Sequence, residues 1–182
     1  IAYINKNIKN LKKNLIAGFN LSCVGDKGPF SLINSKEKNT YADKISERVL
    51  GKSKNFKKLS FLKRGSNERQ FGCQNLKLPF VTICRSRFGD YKEYHSSEDN
   101  LNFISEKKLK GSLNKILSII NEIQSNKIYI KAFNCEPFFS KYNLIRSSRI
   151  KPDKMEETLF NISAYAGRDY DEKELQNKLK IN

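Results

Sequence analysis

Leu15-Ile16-Ala17-Gly18-Phe19-Asn20-Leu21-Ser22-Cys23-Val24 runs without a break into Gly25-Asp26-Lys27-Gly28-Pro29. Leu15, Ile16, Phe19, Leu21, Cys23 and Val24 make the first part almost continuously apolar, with Gly18 inside it. Such a run reads as a strand buried on both faces, as in a sheet covered by helices. The glycine- and proline-bearing stretch after it is a turn. Asp26 therefore falls just past the C-terminal end of a strand.

Working outward, Ile1 to Lys13 reads as a helix with Ile1, Ile4, Ile8 and Leu11 on one face. Phe30 to Ile33 reads as a short strand, and Tyr41 to Leu50 as a helix stopped by Gly51. Leu59 to Leu62 is a further short strand, and Lys63 to Lys77 a polar loop. Leu78 to Cys84 is the next strand, with Pro79 near its start, and Arg85 to Asn100 the loop after it. Ser105 to Lys127 is a long helix whose stripe of Leu109, Leu113, Ile116, Leu117, Ile120 and Ile123 is expected in the core. Ile128 to Phe133 is a last strand or extended segment. Strands alternating with helices make an α/β fold with a mostly parallel sheet. Leu15 to Val24, Leu59 to Leu62 and Leu78 to Cys84 are expected in that one sheet, with the helix from Ser105 packed on it.

The pattern changes near Pro137 and Pro152. Met155 to Tyr165 is apolar-periodic, Ala166-Gly167-Arg168-Asp169 is a turn, and Asp171 to Ile181 is a short helix. Residues 1–150 are read as one domain and 151–182 as the incomplete start of a small helical one. So little material is expected to leave Leu175 and Leu179 partly uncovered.

The chain has 182 residues, 38% of them hydrophobic, enough for a real core. No apolar run approaches the roughly 20 residues of a membrane span. The first residue is Ile1 rather than Met, so the chain reads as a piece of something longer. The net charge of +16 favours anionic partners. The basic residues are spread along the chain rather than gathered in one arm, which argues against a specific nucleic-acid role. Cys23, Cys73, Cys84 and Cys135 are far apart and lack zinc-finger spacing. Cys23 and Cys84 sit in apolar strand patterns and are expected as buried thiols in a reducing cytoplasm.

Open α/β sheets bind ligands at the carboxyl ends of their strands. Asp26, Glu68-Arg69, Arg85 and His95 all follow strands and are expected to converge on one edge. His95 is the single histidine, within Glu93-Tyr94-His95-Ser96-Ser97-Glu98-Asp99. An Asp and a His at two strand ends suit a metal site, but a catalytic zinc needs about three protein ligands. A Ser-His-Asp arrangement lacks a G-x-S-x-G elbow. A Cys-His pair stays open, since nothing marks one cysteine as activated. Arg69 and Arg85 suit bidentate binding of a substrate carboxylate or phosphate, or else order their loops by pairing with Glu68 or Glu93. Tyr94 is expected to line the site, and Glu68, Glu93, Glu98 and Asp99 to stand behind its ligands and orient them.

Several ordered stretches resemble a known family: Ile1-Ala2-Tyr3, Cys23-Val24-Gly25-Asp26, Ser60-Phe61-Leu62-Lys63-Arg64-Gly65-Ser66-Asn67-Glu68-Arg69-Gln70-Phe71, Leu78-Pro79, Arg85-Ser86 and Glu93-Tyr94-His95-Ser96-Ser97. They resemble a bacterial aminopeptidase-like family with a zinc-aminopeptidase fold, a winged-helix tail and an association with polysaccharide biosynthesis. Leu159 to Ile181 resembles the first part of that tail. The resemblance implies a three-layer sandwich and a pair of zinc ions held by His, Asp, Glu, Asp and His in chain order. Asp26 would be the carboxylate on one zinc and His95 the imidazole on the other. The remaining ligands and the general base would lie upstream of Ile1. Asn67 stands where the family pattern has Asp, and Gly72-Cys73-Gln74 departs from a segment marked by Cys and Pro-Gly. The implied activity is zinc-dependent hydrolysis of an amide, on a peptide N-terminus or a sugar intermediate. The alternative is a non-catalytic binding or regulatory domain of the same fold for an anionic partner.

Overall fold

In the computed structural model, which describes residues 1–145, 151–167 and 169–181, the sheet is built on β4, Phe80–Cys84. Val81, Thr82, Ile83 and Cys84 are buried, so this strand is covered on both faces. β1, Gly18–Leu21, pairs with β4 in parallel, and β2, Ser31–Ile33, pairs with its other side antiparallel. β3, Lys57–Leu59, lies beyond β2 and parallel to it. The order β1-β4-β2-β3 makes a mixed, mostly parallel sheet within an α/β fold. The strands expected at Leu15 to Val24, Phe30 to Ile33 and Leu78 to Cys84 share that sheet.

The two-face burial read into Leu15 to Val24 belongs to β4 instead. β1 lies at the sheet margin, with Ile16 and Leu21 exposed. It is also shorter than its apolar run, because Cys23 turns into the left-handed region at φ 50°. An apolar run reports what a strand can bury, not its rank in the sheet. The strand expected at Leu59 to Leu62 ends at Leu59. Ser60 Oγ accepts the Leu62 N–H at 3.3 Å and winds Phe61–Lys63 into a 3₁₀ turn.

Local signals set the helices well. α1 spans Ala2–Asn14 and buries Ile4, with Lys12 and Lys13 placed favourably at its negative end. α2 spans Tyr41–Leu50, as expected, and packs on β2 and β4. Its start is a capping box between Thr40 and Asp43. α3, Glu68–Phe71, lies on the Phe80–Thr82 side of β4, where the Phe71 and Phe80 rings stack at 4.0 Å.

α4 spans Glu106–Ser125, but its expected stripe is not its buried face. Leu109, Leu113, Leu117 and Ile120 are exposed, whereas Ser112 and Ile119 are buried. The two faces differ by about a quarter turn of helix. Two hydrogen bonds set the rotation: Ser112 Oγ donates to the Val24 carbonyl at 2.7 Å and accepts Arg85 Nε–H at 2.9 Å.

The chain divides into two compact units, Ile1–Glu122 and Ile123–Asn182. The boundary expected after residue 150 falls at the end of 146–150, outside the described residues. In the second unit, Ile128 to Phe133 pairs with no strand among the described residues, and Ile130 and Phe133 are exposed. α5, Lys154–Tyr165, and α6, Glu172–Leu179, pack together, each started by a capping box, on Asp153 and Asp171 respectively. Leu175 is buried, against expectation, while Leu179 stays half-exposed. The Lys178 ammonium caps Tyr165 and Tyr170, whose rings meet edge to face. The turn at 166–169 includes Arg168, outside the described residues. No described helix is long and apolar enough to cross a membrane.

Candidate functional site

β1 and β4 are parallel, so their C-terminal ends lie at one edge of the sheet, and the chain leaves both towards α4. There Asp26 is buried. Its Oδ1 accepts Gly28 N–H at 2.6 Å, an Asx turn, and the Ser86 hydroxyl at 2.7 Å. Ser86 N–H reaches Oδ2 at 3.1 Å. A Cβ on Gly28 would stand 2.4 Å from Ser86 Oγ and 2.7 Å from Asp26 Oδ1, so this cradle requires glycine. Oδ1 is filled, whereas Oδ2 takes a single bond of ordinary length and keeps acceptor capacity. The Asp26 carboxylate is thus fixed in direction by Ser86 and Gly28 and enclosed by the protein.

Arg85, read as a substrate contact, points inward. Its guanidinium donates to Ser112 Oγ, the Gly28 carbonyl at 3.0 Å and the Lys108 carbonyl at 3.3 Å, and lies 4.2 Å over the Phe30 ring. Burial lowers its pKa and Asp26 opposes that shift. Arg85 therefore ties the Asp26 turn to α4.

The same edge carries an aromatic ladder. Tyr91 Oη donates to Cys23 Sγ at 3.1 Å, and the Tyr91 ring meets Tyr94 edge-on at 5.7 Å. Tyr94 in turn stacks on the His95 imidazole at 4.0 Å. Burial raises the Tyr91 pKa, followed by its bond to Cys23 and the charges of Cys23, Asp99 and Asp26. His95 is exposed in the left-handed conformation at φ 56°. Among the described residues nothing hydrogen-bonds to its ring. Glu93, Glu98 and Asp99, expected to orient it, make no bond to it; the Glu93 carbonyl holds the Ser96 hydroxyl instead.

Glu68 and Arg69 do not join this edge. β2 and β3 run opposite to β4, so the chain leaves them at the other end of the sheet. Glu68 is fully buried and accepts Gly65 N–H at 2.7 Å, Ser66 N–H at 3.0 Å and the Thr82 hydroxyl at 2.9 Å. It pins the Arg64–Asn67 loop to the middle of the sheet. Arg69 faces a separate cavity of about 490 Å³ shared with Lys36, Lys38 and Arg64.

Ser86, Ser112 and Tyr91 are the site residues missed in the sequence. Ser86 could have been found as a hydroxyl at a strand end. Ser112 carried a signal too, as a small polar residue inside an apolar helix. Cys84 is buried, as expected; Cys23 is half-buried, and all four cysteines are free. Among the described residues no three His, Cys, Asp or Glu side chains group closely enough to hold a metal ion.

Residues 1–126 match the model of a family described as a domain of unknown function, DUF4910. A Clostridium acetobutylicum protein, provisionally named a polysaccharide biosynthesis protein with aminopeptidase-like domain, is 32% identical over 151 residues. That match covers 80% of this chain and 34% of the relative. A crystal structure of a provisionally named peptidase from Clostridium acetobutylicum superposes with a TM-score of 0.69 at 26% identity. It covers 98% of this chain and 40% of that one. The chain thus spans about a third of the curated relative and two fifths of the solved one.

Proposed function

Since the chain belongs to the DUF4910 family, we propose that it is the C-terminal part of an aminopeptidase-like, zinc-dependent hydrolase that cleaves an amide. The observation that carries this reading is the Asp26 carboxylate, held at a sheet edge by Ser86 and Gly28 with Oδ2 free to take a further partner. The names of the two relatives support the peptidase-like kind.

In this reading Asp26 supplies a carboxylate oxygen to one metal and His95 a ring nitrogen to the other. The other donors come from protein outside these residues, as does the general base. Zinc, when bound, polarises a carbonyl and makes water a stronger acid. Ser86 and Gly28 fix the direction of the carboxylate, Arg85 holds their turn against α4, and Tyr94 sets the plane of the imidazole. With zinc bound, Glu93, Glu98 or Asp99 of the His95 loop would accept from its second ring nitrogen, a bond none of them makes here. The substrate is a peptide N-terminus or an amide on a sugar intermediate, in a reducing cytoplasm where the four thiols stay free. The three-layer sandwich belongs to the whole catalytic domain, and α5 and α6 open the winged-helix tail.

Metal analysis of the full-length protein tests this. It is expected to carry zinc and to hydrolyse aminoacyl-nitroanilides; Asp26→Asn and His95→Ala each lower the zinc content and cut kcat at least a hundredfold. A zinc content unchanged in both variants overturns the assignment. A non-catalytic domain for an anionic partner is the second reading, favoured by the basic cavity around Arg69. Full-length protein that binds no metal would support it.

A further inference from the structure

The cavity around Arg69 has an unusual charge balance. Lys36, Lys38, Arg64 and Arg69 line it, and no lining residue is acidic. None of the four is paired with a carboxylate among the described residues. Lys36 Nζ bonds the Gln74 side-chain oxygen, and the Arg64 guanidinium lies 5.0 Å over the Phe61 ring. Four cations around one hollow repel one another, and an anion relieves that repulsion.

The walls that present these cations are braced from inside. Lys36 and Lys38 sit in the turn between β2 and α2, where Lys38 is left-handed at φ 60°. Buried Asp43 holds that turn, accepting Asn34 Nδ2–H and Ser35 N–H at 2.8 Å, Thr40 N–H at 2.9 Å and the Thr40 hydroxyl at 2.7 Å. Glu68 holds the Arg64 to Arg69 wall in the same way. Both carboxylates are spent on donors of their own loops and, for Glu68, of the sheet, and neither lines the hollow. The loops are thus ordered without their cations being neutralised.

We propose that this cavity binds a phosphate ester, the phosphate held by Arg64, Arg69, Lys36 and Lys38. Guanidinium forks match phosphate oxygens two at a time, and the lysines add point charge. A volume of about 490 Å³ exceeds what one phosphate fills and lies in the range of small-molecule pockets. Phe61 and exposed Leu62 offer an apolar wall to the organic part. A nucleoside diphosphate or sugar phosphate has this combination of groups. The site is separate from the Asp26 edge and does not depend on the metal reading.

The test is calorimetric titration of the full-length protein with uridine diphosphate, inorganic pyrophosphate and citrate at physiological salt. Uridine diphosphate is expected to bind more tightly than pyrophosphate, and both more tightly than citrate. Arg69→Ala and Lys38→Glu are each expected to lose tenfold or more, and Arg69→Lys to recover only part. Lys12→Ala with Lys13→Ala, exposed on α1, is the control for general charge and leaves affinity unchanged. Cys73 lines the same cavity and Cys135 does not, so uridine diphosphate slows alkylation of Cys73 but not of Cys135. Equal losses in the α1 control, citrate binding as tightly as the phosphates, no binding at millimolar ligand, or displacement only by RNA would each overturn the proposal.

Discussion

Cys84 shows how one buried side chain can write itself into the behaviour of the protein. Its thiol, on the central strand, donates to the Ser31 carbonyl at 3.8 Å. Burial, with smaller contributions from Cys23 and Asp26, raises its pKa from 9.0 to about 12. The folded state therefore keeps a proton that the unfolded state loses above pH 9. Stability from this group is intact below that pH. It falls by about 1.4 kcal/mol per pH unit until the folded thiol also ionises near pH 12. Urea denaturation between pH 8 and 11 is expected to show that decline, and Cys84→Ala to flatten it. Tyr91 is raised as well and adds to the same alkaline loss. A slope unchanged by the substitution would mean that the thiol is not enclosed.

At the scale of elements, α4 is the informative case. Its Leu109, Leu113 and Leu117 stripe has the stronger apolar periodicity, yet Ile119 and Ser112 occupy the buried face. In this chain Ile119→Ala is expected to cost about 2–4 kcal/mol, whereas Leu113→Ala or Leu117→Ala costs within about 0.5 kcal/mol. Denaturation midpoints distinguish the two faces, and the reverse ranking would restore the stripe to the core. α2 contrasts with it. Thr40 and Asp43 declare its start locally, and no long-range contact is needed to find its ends.

For the whole molecule, the division at Glu122 and the end of the family match at residue 126 nearly coincide. α4 closes the first unit, and its Glu122 bonds Arg48 of α2 at 2.9 Å. Residues 1–126 alone are therefore expected to fold with a single urea transition and a far-ultraviolet spectrum of mixed α and β structure. A broad, multi-step transition would show that residues beyond 126 are needed for the core. The +16 charge makes weak association with polyanions salt-sensitive, a background that the α1 control separates from the cavity.

The sequence by itself determined what is local: the extents of α2, α5 and α6 to within a few residues, the presence of strands at Gly18, Ser31 and Phe80, and the chemistry available at Asp26 and His95. Capping and periodicity act over a few residues, so they are legible in order along the chain. Only the tertiary structure decided that β2 and β3 run against β4, which carries Arg69 away from Asp26. It also decided that Arg85 turns inward, because Ser112 and the Gly28 carbonyl wait there, and which face α4 buries. Each of these depends on partners far apart in the chain: 27 positions separate Arg85 from Ser112, and 88 separate Ser112 from the Val24 carbonyl. A hydrogen bond across such a span leaves no period in the sequence to read.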